Sequence, residues 1–171
     1  MPKSEKPDEE AASTWVAPPG IGLGNLFQEG QLAFVKVFRT ELAAYGVTVS
    51  QYQHLRKLWE QDGITQAQLS KRVGIESASS TATLNALERR GLISRIRDSA
   101  DLRKVKVYLT PAGRMVQDDL IACARRTNEV ATAGMSKGEI DIVFSLVGKI
   151  TRRLRGFESA DQPASPSAAA E

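Results

Sequence analysis

Apolar side chains return every three or four residues along most of this chain, the spacing of helices that bury one face. From Leu23, the series Phe27, Phe34, Phe38, Leu42 and Tyr45 predicts a first helix closed by Gly46. Ser50-Gln51-Tyr52-Gln53 has the form of a capping box, in which Ser and Gln satisfy each other's free backbone N–H groups. It opens a second helix whose stripe, Leu55, Leu58 and Trp59, ends near Gln61. Thr65-Gln66-Ala67-Gln68 repeats the box and, with Leu69 and Val73 before Gly74, predicts a third helix of about two turns. A fourth starts at a cap on Glu76 or Ser77, runs through Leu84 and Leu87 to Arg90, and stops at Gly91.

The pattern then changes period. Leu92 to Arg97 and Val105 to Leu109 alternate around the turn-like Asp98-Ser99-Ala100-Asp101, which predicts a β-hairpin. Ile93, Ile96, Val105, Val107 and Leu109 are its candidates for burial, and Arg95, Arg97, Arg103, Lys104 and Lys106 its outward charges. Thr110-Pro111-Ala112-Gly113 sets a cap before a proline at the first helical position, and the stripe Val116, Leu120, Cys123, Thr127, Val130 carries a fifth helix to Gly134. The last helix begins at Ser136-Lys137-Gly138-Glu139 and carries Ile140, Phe144, Val147, Ile150 and Leu154, with Arg152, Arg153 and Arg155 near its end, where positive charge is favourable. Three amphipathic helices at the two ends of the chain make a poor core alone, so a second copy supplying the missing face is expected.

Composition narrows the function. With 171 residues and 42% hydrophobic character the chain is expected to form one soluble domain with appendages, and no apolar run is long enough for a membrane helix. No apolar signal core follows Met1, so a cytoplasmic location is expected. Residues 1–19 hold four prolines and read as a flexible arm with Trp15 as its one anchor; residues 159–171 are low-complexity and read as a disordered tail. One Cys and one His give neither a metal cage nor a local nucleophile signature, so no metal, no cofactor and no catalytic residue are expected. Gly20-Ile21-Gly22-Leu23-Gly24-Asn25 follows no strand and is no phosphate loop. Net charge is only +3, but residues 47–115 hold 12 Lys/Arg against 6 Asp/Glu while both termini are acidic, which concentrates the positive field on the middle module. Two short helices, a tight turn and a basic ribbon suit duplex DNA, because a helix fits the major groove and a ribbon can follow the backbone.

At this point the residues match a family. Thr65-Gln66-Ala67-Gln68-Leu69-Ser70, the run from Leu84 to Arg95, Asp98-Ser99-Ala100-Asp101-Leu102-Arg103 and Leu109-Thr110-Pro111-Ala112-Gly113, in that order and at those separations, resemble the MarR family of bacterial winged helix-turn-helix transcription regulators. The resemblance covers roughly residues 25–157 and is densest over 47–114. It implies a mainly α fold with a small β-hairpin wing: a winged helix-turn-helix module at 47–110 and a helical dimerisation region at 20–46 and 111–158. It also implies a homodimer on a pseudo-palindromic operator in double-stranded DNA, a repressor released by a small effector, and no membrane partner.

For the residues, the resemblance implies that the fourth helix recognises DNA through Ser77, Ser79, Thr81 and Thr83, with Ser80 packed inward. Ala82 stands where the family often has Arg, which shifts weight from direct base contacts to DNA shape. Arg103 aligns with the wing arginine of an Asp-x-Arg motif, held by Asp101; Leu102 replaces a second arginine often found there. Arg95, Arg97, Lys104 and Lys106 are phosphate-contact candidates. The effector pocket implied by the family lies between the dimerisation helices and the module, and points to Phe34, Phe38, Arg39, Tyr45, Tyr52, His54 and Trp59. Aromatics beside Arg or His suit an aromatic carboxylate or its coenzyme A thioester. The alternatives are an oxidation-sensing regulator acting through Cys123, for which core packing competes, and an architectural DNA-binding protein.

Overall fold

A computed structural model describes residues 22–99 and 101–160. The arm expected at 1–19, with Trp15, lies outside the described residues, as does the tail from 161 onward. The chain divides into two units, Met1–Thr127 and Asn128–Glu171.

The first unit opens with α1 (Leu23–Ala43) and α2 (Val49–Glu60). The cap of α2 is Thr48, not Ser50: its Oγ1 accepts from the Gln51 N–H at 3.2 Å, and the Gln51 side chain accepts from the Thr48 N–H at 3.0 Å. The expected box is therefore displaced by two residues, because Ser50 is already helical and its hydroxyl is used elsewhere. The second box is where the sequence places it, with Thr65 and Gln68 capping α3 (Gln66–Val73). Gly74, at φ 79°, makes the left-handed turn into α4 (Ser77–Arg89), and the Ser70 hydroxyl braces that turn by donating to the Ile75 carbonyl at 2.7 Å.

The ribbon is larger than a hairpin. Strands β2 (Ile93–Arg97) and β3 (Val105–Leu109) pair antiparallel, and β1 (Ile64–Thr65) adds a third strand on the other side of β3, aligning Ile64 with Val107. Two residues are too short for an alternating pattern to reveal. The Asp62 carboxylate, unremarked in the sequence, pins this corner by accepting from the Leu109 N–H at 2.9 Å and from the Arg114 guanidinium.

Three expectations about the ribbon are corrected. Ile96 is 56% exposed, because an offset of three from the buried Ile93 puts it on the opposite face of a period-two strand. Arg95 is not free: it forms an ion pair with Glu88 of α4. Lys106 is likewise engaged, 2.7 Å from Asp98. Arg90, at the end of α4, donates to the carbonyls of Tyr45 and Gly46 and closes the end of α1.

The expected fifth helix is two, α5 (Pro111–Met115) and α6 (Gln117–Ala131), separated by a turn at Val116. Thr110 caps α5 as anticipated, accepting from the Gly113 N–H at 3.1 Å. The core of this unit gathers Leu42, Leu55, Leu58, Leu69, Leu84, Leu87, Ile93, Val107 and Leu120, all buried. In the second unit, α7 (Lys137–Ala160) is capped by Ser136 and Glu139 and continues past the expected end at 158. Phe144, Val147 and Leu154 of its predicted stripe are exposed, and so is Val130, the last residue of the fifth-helix stripe.

Candidate nucleic-acid interface

The buried Ser80, Leu84 and Leu87 fix which way α4 faces. A helix turns about 100° per residue, so hydroxyls at 77, 79, 81 and 83 fall on two flanks and do not share a face. On one flank Thr81 Oγ1 donates to the Ser77 carbonyl at 2.8 Å and accepts from Gln66 Nε2 of α3 at 3.0 Å. On the other, Thr83 Oγ1 donates to the Ser79 carbonyl at 3.1 Å and lies 3.0 Å from Ser50 Oγ of α2. Thr83 has given its only hydrogen to a carbonyl, so Ser50 is the donor in that pair. Ser77 and Ser79 are exposed, and Ser80 is buried as expected.

His54 forms a third tie to α4. Its Nδ1 lies 2.7 Å from the Ser50 carbonyl, which can only accept, so Nδ1 carries the hydrogen; Nε2, 3.0 Å from Ser80 Oγ, then accepts from that hydroxyl in the neutral ring. Burial pushes the His54 pKa below its ordinary value, against a smaller opposing effect of the Ser50 carbonyl, and so favours this neutral form. α2 thus holds α4 through Ser50 and His54, while α3 holds it through Gln66. Neither Gln66 nor Ser50 was singled out as a site residue from sequence, where Ser50 reads as a cap and Gln66 as an intervening residue of the second capping box.

At the tip of the ribbon the Arg103 side chain is 91% exposed, with its Nε 3.1 Å from Asp101 Oδ1. The same oxygen accepts from the Arg103 backbone N–H at 3.1 Å, and Lys104 Nζ lies 3.3 Å from the other. These bonds, that to the Arg103 side chain foremost, hold the Asp101 carboxyl below the ordinary aspartate range. Asp101 directs a guanidinium whose remaining N–H groups point to solvent. Arg97 is exposed as well. Arg95 is held by Glu88, whose carboxyl is lowered by that bond. A cleft of about 400 Å³ joins wing to helix, lined by Ser77, by Arg103 and Lys104 and by Thr65 and Gln66.

This is a helix-turn-helix with a cationic wing on one surface, and comparison with known proteins agrees. Residues 47–105 match the model of the MarR family. The module over those residues is a MarR-family domain, the winged helix-turn-helix of transcription regulators. Over 82 residues it is 37% identical to the HTH-type transcriptional regulator TtmR of Methylorubrum extorquens, a match spanning 48% of this chain and 42% of that relative. With the HTH-type transcriptional repressor NicR of Pseudomonas putida, identity is 27% over 128 residues, or 75% and 81% of the two chains. Among solved structures, Bordetella bronchiseptica BpsR, described with regulation of its DNA binding by 6-hydroxynicotinic acid, superposes with a TM-score of 0.69 at 25% identity, over 75% of this chain and 97% of BpsR.

The effector candidates divide into two groups. Phe34, Phe38, Tyr52 and Trp59 form a continuous ring series from α1 to α2, with centroids 6.3, 4.8 and 6.1 Å apart in turn. Arg39 is exposed and Phe34 lies at the surface end of the series. Trp59 Nε1 donates to the Gly113 carbonyl at 3.1 Å, and burial raises the Tyr52 pKa. His54 stands apart from the series, with both ring nitrogens engaged inside the module, and Tyr45 is half-buried with its carbonyl bound to Arg90. Cys123 is buried beside Arg126 and the Glu41 carbonyl, and burial pushes its thiol up, away from the reactive thiolate. Among the described residues no helix is long and apolar enough to cross a membrane.

Proposed function

We propose that this chain is a homodimeric, ligand-responsive transcription repressor that places one winged module on each half of a pseudo-palindromic operator. The observation that carries the reading is the wing: an arginine extended into solvent, oriented by a carboxylate, facing the N-terminal end of an exposed helix across one cleft. Such an arginine suits the negative potential of a minor groove beside the major groove that receives the helix. The family and the repressor NicR support the sign of regulation. The second copy follows from the exposed Leu23, Leu26 and Phe27 of α1 and the apolar length of α7, surfaces too extensive for a monomer.

For the effector, the ring series ending at the surface near α1 suits a flat aromatic acid, with Arg39 as its carboxylate partner. BpsR, with a heteroaromatic carboxylate, supports that class. Oxidation sensing is disfavoured by the burial of Cys123. Gel-shift titration of the full chain on its own upstream intergenic DNA, with and without 6-hydroxynicotinate, benzoates and their coenzyme A thioesters, tests the reading. A discrete shift released by one of these supports it. A smear that coats any DNA replaces it with the architectural reading, and a discrete shift that none releases removes the aromatic-acid effector.

A further inference from the structure

The side of α4 turned directly away from its buried line carries none of the four hydroxyls singled out from sequence. Opposite the buried line of Ser80, Leu84 and Leu87 stand Ala78, Ala82, Asn85 and Arg89, all exposed. Of these only Asn85 carries a donor and an acceptor in one plane. Its amide makes no hydrogen bond to any described residue, whereas the Thr81 and Thr83 hydroxyls have their hydrogens on helix carbonyls and their oxygens on Gln66 and Ser50. Contact with a base would require those threonines to break bonds; Asn85 has none to break. Alanine at 78 and 82 leaves no long side chain between the helix and a groove floor, so a short amide can reach a base edge. The ties from α2 and α3 fix the rotation of α4 and so keep Asn85 outward.

We propose that Asn85 is the base-reading residue of this module, its Oδ1 accepting from adenine N6 and its Nδ2 donating to N7 in the major groove. This pairing is the one an asparagine amide makes with both of its atoms at once. The proposal rests on the DNA-binding reading above and names the residue that gives it sequence preference.

The test selects bound duplexes from a randomised pool with the full chain, Asn85→Ala and Asn85→Arg, and sequences them. The wild type is expected to return a two-fold motif with a fixed adenine in each half. Asn85→Ala should return the same motif with that position degenerate, bind the wild-type site more weakly by about 5- to 150-fold for each half-site, and keep its affinity for unrelated DNA within about twofold. Asn85→Arg should prefer guanine at the same position, a gain that misfolding cannot produce. If Asn85→Ala returns the wild-type motif with its adenine intact, the assignment is wrong while the DNA-binding reading stands. If the wild type enriches no motif, the regulator reading fails and the assignment fails with it.

Discussion

Arg103 and His54 show how differently a charge is handled at the tip of the wing and between the buried faces of α2 and α4. Arg103 is oriented by Asp101 yet solvated, so its loss should leave the fold alone and remove one cationic contact per module. For Arg103→Ala we expect weaker operator binding, a salt dependence shallower by about one contact per half-site, and unchanged circular dichroism and mass. A variant with the wild-type salt slope would mean that the wing does not touch DNA. His54 is the opposite case, a titratable ring inside the core whose pKa lies below its unfolded value of 6.5. Between those two values the unfolded chain holds a proton that the folded chain refuses, so stability falls as pH drops through 6.5 and levels off below the folded pKa. The lowered carboxyls of Glu60, Glu88 and Glu139 act in a separate window, since their stabilisation is complete above the unfolded value of 4.5 and is lost further down. Urea unfolding from about pH 7 to about pH 5 should therefore show a decline that His54→Gln lacks, although the variant starts about 1–3 kcal/mol lower through its disturbed bond to Ser80. Parallel declines in the two proteins would assign the slope to another group.

Among the elements, α5 is fitted to the ribbon with no slack. A Cβ on Gly113 would stand 2.0 Å from the Leu92 carbonyl oxygen, which already accepts from the Thr110 N–H. Backbone must move to admit it, so Gly113→Ala should cost about 1–3 kcal/mol and also lengthen the Trp59 bond to the Gly113 carbonyl, visible as a shift in tryptophan emission. A thermal midpoint and emission equal to wild type would show that α5 can slide freely. The sequence announces the start of α5 because its signals are local: a capping threonine followed at once by a proline at the first helical position. The same holds for α3, whose box lies where the spacing predicts. Local signals do not carry pairing, and this is why β1, the grip of Arg90 on α1 and the Asp62 corner were not legible. The site divides the same way. The wing motif puts Asp101 beside Arg103 two residues away, which sequence can show, whereas the flanks of α4 depend on helix phase. Choosing hydroxyls at every second residue imposes a strand period on a helix, and the outward position of Asn85 emerges only when Ser80, Leu84 and Leu87 are seen to be buried together.

At the scale of the whole molecule, the decisive feature is how much apolar surface one copy leaves open. Phe144 is 67% and Phe157 72% exposed on α7, with Ile142, Leu146, Val147 and Leu154 exposed along the same helix. A solvated helix would carry charge at most of these positions, whereas between Lys137 and Lys149 this one has no basic residue and places Ile142, Val143, Phe144, Leu146 and Val147 at the surface. A second copy covering α7 accounts for that pattern, and it also supplies the second winged module that a two-fold operator needs. The dimer and the DNA reading are therefore linked, because two modules on one body convert the second half-site contact into an intramolecular event worth about 10²- to 10⁴-fold in apparent affinity. Sedimentation equilibrium should give twice the chain mass, and the thermal midpoint should rise with protein concentration. Introducing Val147→Glu together with Leu154→Glu should halve the mass while retaining most of the helical signal. The same variant should lose operator affinity by that avidity factor but keep its affinity for a single half-site. If mass and operator binding survive both glutamates, α7 is not the seam and the second copy must be sought on α1.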